Sequence, residues 1–72
     1  MTRPGLVKRS FTIQGHRTSV ALEPEFWAAF DAAVRARGIS PTALVTAIDE
    51  ARNRPLASAL RVFLLKEAAA GR

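Results

Sequence analysis

Arg17-Thr18-Ser19-Val20-Ala21-Leu22 alternates polar and apolar residues, the period of a β-strand. Thr18, Val20 and Leu22 fall on one face, and Arg17, Ser19 and Ala21 on the other. Glu23-Pro24-Glu25 follows at once and opens a helical pattern, with no further strand downstream. A lone strand leaves its backbone N–H and C=O groups unpaired. A second copy of the same strand would pair them, so a strand over about 16–22 predicts a homodimer.

Composition points the same way. A chain of 72 residues has room for one small domain, and such a domain buries only about 60% of its unfolded surface. Disulfides, metals or oligomerisation usually make up the deficit. Cysteine is absent and His16 is the single histidine, which excludes disulfides and the common zinc sites. Association remains, and no cofactor is expected. Hydrophobic residues make up 49% of the chain, too many for a disordered segment. A net charge of +5 favours a polyanionic partner. Residues 1–10 are basic but lack the apolar core of a leader, and no apolar run approaches the ~18 residues of a membrane span. A cytoplasmic protein without a membrane partner is the expectation.

Residues 1–7, with Pro4 and Gly5, show no period and read as a flexible basic arm, and a single domain over 8–69 follows. From the start to Arg17 the charge is one-sided: Arg3, Lys8, Arg9 and Arg17, with no acid. Ser10-Phe11-Thr12-Ile13 also alternates, then Gln14-Gly15-His16 interrupts. Two arrangements satisfy this pattern: a hairpin with 17–22, or an extended arm clipped to the core by Phe11 and Ile13.

Pro24 and its flanking glutamates suit a helix N-terminus, and Gly38 suits a left-handed stop, giving a first helix over about 24–37. Phe26, Ala29, Phe30, Ala33 and Val34 form its apolar stripe, with Trp27 at the flank. Ser40-Pro41 caps and starts a second helix over about 41–52, which Pro55 terminates. A third helix, over about 56–69, is apolar on more than one side, because Val62 and Leu65 lie off its main stripe. Residues 70–72 form a tail, and no internal repeat is evident.

Strand, helix, Gly38-Ile39-Ser40 turn and helix together resemble the ribbon-helix-helix DNA-binding fold. The string Lys8-Arg9-Ser10-Phe11-Thr12-Ile13, Gly15-His16-Arg17-Thr18-Ser19-Val20, Leu22-Glu23-Pro24 and Phe26-Trp27 looks like a family of short bacterial ribbon-helix-helix proteins. In that family a Ser-Ala-Leu-Arg-Val-Phe segment, here 58–63, opens the last helix. The resemblance implies a mainly α fold. One N-terminal strand pairs antiparallel with its mate in an intertwined dimer, two helices form the core, and a third is added at the C-terminus. It also implies that the ribbon enters the major groove of double-stranded DNA, a recognised docking mode. Arg17, Ser19 and Ala21 would then face base edges. Lys8 and Arg9, with the second-helix N-terminus at Ser40, Thr42 and Ala43, would meet phosphates. Val20, Leu22, Phe26, Phe30 and Ile48 would form the dimer core.

The expected function is that of a homodimeric, sequence-specific DNA-binding protein, a repressor-like transcription regulator. The competing class is an interaction module, antitoxin-like or a dimerisation adaptor, that holds a protein partner through Val62 and Leu65. An enzyme is not expected. Tyrosine is absent as well as cysteine, Asp49 and Glu50 are adjacent and diverge by about 100° on a helix, and no glycine-rich phosphate loop is present.

Overall fold

A computed structural model describes residues 5–70. The start of the expected arm, including Arg3, and residues 71–72 of the expected tail lie outside the described residues. The order is β1 (Val7–Ile13), β2 (His16–Leu22), α1 (Pro24–Arg37), α2 (Pro41–Ala51) and α3 (Leu56–Ala70). The chain is mainly α, with a two-stranded antiparallel sheet leading three helices.

The expectation of one solitary strand is corrected here. β2 pairs with β1 of the same chain, in register from Val7 opposite Leu22 to Ile13 opposite His16. Of the two arrangements open for Ser10–Ile13, the hairpin is the one observed. A two-residue loop joins the strands. Gln14 and Gly15 both have positive φ, 51° and 83°, as the primed turns that match strand twist require. Val7 therefore belongs to the sheet and not to an arm.

Strand alternation divides the hairpin into two faces. Phe11, Ile13, Val20 and Leu22 turn inward and are buried. They meet Trp27, Phe30 and Ala33 of α1, Leu44 and Val45 of α2, and Leu60 and Leu64 of α3 in one cluster. Phe30, Leu22, Leu60 and Val45 are essentially inaccessible within one chain. Of the five expected dimer-core residues, Val20, Leu22 and Phe30 are thus covered by their own chain. Phe26 and Ile48 are half-buried against the cluster.

The buried stripe of α1 is rotated by about one residue from the expected one. Trp27, expected at the flank, is buried at 2% exposure. Its indole N–H donates to the Val7 carbonyl at 2.7 Å, so the ring can be buried with its polar atom satisfied. Trp27 meets Phe30 edge-on at 5.2 Å between centroids, and Phe11 lies 6.1 Å from each ring. Gly38, at φ 66°, ends α1 and donates to Val34 and Arg35 carbonyls. In α2, the Ser40 hydroxyl accepts from Ala43 N–H at 3.0 Å. α2 stops one residue earlier than expected, because Arg52 is already extended ahead of Pro55. α3 is buried along Leu60 and Leu64, while Val62 is half-buried and Leu65 is 67% exposed.

Arg9 fastens β1 to α1. Its guanidinium makes two bonds to the Asp31 carboxylate, at 3.0 and 3.2 Å, and lies 4.5 Å from the Trp27 ring centre. The Arg9 hydrogen bonds hold the Asp31 carboxyl below its ordinary range. Burial opposes this, and the charges of Arg9 and Arg35 assist it.

Phe30→Ala is expected to cost about 3–5 kcal/mol, read as a lower urea midpoint at unchanged slope; a shift equivalent to under about 1 kcal/mol would remove Phe30 from the core. A carboxyl depressed in the folded state stabilises above its unfolded pKa, and that contribution is lost as pH falls through the folded value. Between about pH 5 and about pH 2 the wild type should therefore lose up to ~1 kcal/mol relative to Asp31→Asn, the range for a part-exposed pair. Identical pH slopes for the two proteins in urea unfolding would contradict the pairing.

Candidate nucleic-acid interface

The outward face of the hairpin carries Lys8, Ser10 and Thr12 from β1, opposite Ala21, Ser19 and Arg17 from β2. All are exposed except Ala21, which is half-exposed. The alternation that buries Phe11, Ile13, Val20 and Leu22 obliges these six residues to face solvent. The face has a cation towards each end, three hydroxyls between them, and no acid. The Ser10 and Ser19 hydroxyls lie 3.1 Å apart across the strands.

Arg17, Ser19 and Ala21, expected to share a face, do so. Lys8 joins them, whereas Arg9, its expected companion, is turned to the helices and engaged by Asp31 and Trp27. Ser10 and Thr12 were not among the expected contacts. Their signal was present in the Ser10–Ile13 alternation and became usable once the hairpin was chosen over the clipped arm. Ser40, Thr42 and Ala43 sit together at the start of α2. Pro41 has no N–H, Ala43 N–H is bound by Ser40, and Leu44 N–H is bound by the Ser40 carbonyl. Thr42 N–H is the group left to meet an external anion there.

Three further arginines are engaged by carboxylates. Arg61 bonds Glu23 and lies 5.7 Å from the Phe26 ring centre. Arg37 bonds Glu67 and lies over Phe63, and Arg52 bonds Asp49. A groove of about 430 Å³ lies between α2 and α3, floored by Leu44, Ile48, Val62 and Phe63, with Arg54 and Lys66 among its lining residues. Among the described residues, no group of three or more His, Asp or Glu is placed to hold a metal ion, and no helix is long and apolar enough to cross a membrane.

No curated protein and no solved structure gives a significant match to the chain. The family model described as a ribbon-helix-helix domain matches residues 6–68, from just ahead of β1 to near the end of α3. Domains of this family are typically non-enzymatic DNA-binding transcription regulators or antitoxins, and they typically dimerise. On that match, and on a two-stranded ribbon followed by helices, the chain belongs to the ribbon-helix-helix domain family.

Proposed function

We propose that this chain is a homodimeric, sequence-specific DNA-binding protein, a small cytoplasmic transcription regulator that lays the β1–β2 ribbon in the major groove. The outward ribbon face carries this reading: two cations and three hydroxyls without an acid, on a sheet two strands wide. A ribbon of that width fits a groove about 12 Å across. Arg17 can take guanine O6 and N7 together, the serines can serve several bases, and Ala21 can touch a thymine methyl. Thr42 N–H at the α2 N-terminus adds a phosphate contact that fixes orientation without reading sequence.

Each protomer keeps its own hairpin in this dimer. Parting β1 from β2 so that β2 could pair with its mate would uncover Phe11 and Ile13. It would also take the Val7 carbonyl from Trp27. The mate instead covers apolar surface left half-buried, such as Phe26 and Ile48.

A second reading is favoured by one observation, the 67% exposure of Leu65 on α3 beside the Val62-lined groove. On that reading α3 holds a protein partner. Leu65→Ser would then release a stoichiometric partner co-purified from the native cell and leave DNA affinity as it was.

Titration of labelled duplex at several salt concentrations tests the main proposal. The association constant should fall linearly on a log–log plot, because phosphate neutralisation releases counterions. A slope near zero would contradict it. Arg17→Ala should weaken binding by about 1–3 kcal/mol while the melting temperature stays within a degree or two; equal affinity would remove Arg17 from the contacts.

A further inference from the structure

The groove between α2 and α3 is apolar along its middle and cationic at both ends. Leu44 and Ile48 of α2 and Val62 and Phe63 of α3 form its floor. Leu44 is buried, and the other three are half-buried. Its volume, about 430 Å³, lies within the range of small-molecule sites, ~300–1,000 Å³. Arg52 and Arg54 stand at the end where α2 passes into α3, and the Arg52 guanidinium donates to the Arg54 carbonyl at 2.9 Å. Arg37 and Lys66 stand at the other end. The Arg37 guanidinium lies 5.2 Å from the Phe63 ring centre, and Lys66 follows Phe63 by three residues on the same helix face. Between Leu56 and Lys66, α3 rises about 15 Å.

Each end has one engaged arginine. Asp49 bonds Arg52 at 2.7 Å, and Glu67 bonds Arg37 at 2.8 Å. The second cation at each end, Arg54 or Lys66, is exposed and meets no carboxylate among the described residues. No Asp or Glu lines the groove itself. We infer that this groove binds a small, elongated dicarboxylate: an apolar chain with an anionic group at each end. The chain is buried on the floor, and the gain grows with the apolar area covered. Asp49 and Glu67 neutralise Arg52 and Arg37, so the ligand's carboxylates meet the Arg54 fork and the Lys66 ammonium. A fatty monocarboxylate leaves one of these cations unmet, and a neutral chain leaves both. A nucleic-acid backbone makes no use of the apolar floor. Ile48 also belongs to the apolar surface available to the mate, so the site adjoins the dimer contact.

Methyl-resolved NMR titration of the full chain with decanedioate, decanoate and decanediol tests this. Decanedioate should shift the Leu44, Ile48 and Val62 methyls and leave Val20, in the hairpin, unmoved. It should bind most tightly. Decanoate should be weaker by roughly twofold to fivefold and decanediol weaker again, the scale of one part-exposed ion pair per end. Arg54→Gln and Lys66→Gln should each lower decanedioate affinity by a similar factor and leave decanediol affinity unchanged. Both positions are exposed, and thermal melting checks that the variants fold. Groove methyls that ignore all three probes would overturn the inference, as would equal affinity for the three. Interchain contacts to Val62 and Phe63 in a mixed-label sample would give the groove to a second copy and overturn it. Loss of duplex affinity in R54Q/K66Q would assign the two cations to phosphates, with the same consequence.

Discussion

The constraint beneath this structure is that the main-chain polar groups of β2 must be paired before its apolar face can be buried. β1 pairs them from within the chain, through a loop whose two residues both take positive φ. Once that pairing exists, side-chain alternation leaves little freedom. Phe11, Ile13, Val20 and Leu22 go inward, and the polar residues between them go outward. The helices then close over one face of the hairpin only, with Phe30 at the centre of the cluster and Trp27 bonded to the Val7 carbonyl. The core and the exposed ribbon face are two consequences of one register.

The cations are distributed by the same register. Arg9 and Lys8 are neighbours in sequence but stand on opposite faces. Arg9 is held by Asp31 and stacked over Trp27, where it ties the sheet to α1. Lys8 faces outward with Arg17. Arg37, Arg52 and Arg61 also meet carboxylates. The net charge of +5 is thus presented outward by particular side chains and not as a uniform shell. Part-exposed ion pairs add little to stability; here they fix which arginines are already committed within the fold.

Much of this was legible in the residues. Pro24, Gly38, Ser40-Pro41 and Pro55 place the helix ends, because each acts on the backbone within a residue or two. The 17–22 alternation put Arg17, Ser19 and Ala21 on one face. The hairpin was less legible. Gln14 is not a residue that signals a left-handed turn, so Gly15 read equally well as a bulge. The rotation of α1 involves partners distant in sequence: the Val7 carbonyl, 20 residues away, satisfies the indole N–H that Trp27 buries, and Phe11 meets its ring. Arg9, expected among the phosphate contacts, is engaged by Asp31, a partner 22 residues on that no local signal marks. Local signals set local structure, whereas pairing across the fold decided which side chains remained free.

Whether the ribbon is made within one chain is accessible directly. In a mixture of isotope-labelled and unlabelled protein, filtered nuclear Overhauser spectra separate contacts within a chain from contacts between chains. Phe11 and Thr18 are opposite partners in the register. Their cross-strand contact should be strong in the uniformly labelled sample and absent from the interchain-filtered spectrum. A strong Phe11–Thr18 contact, or a Val20–Val20 contact, between labelled and unlabelled chains would show a ribbon shared between protomers and contradict the account.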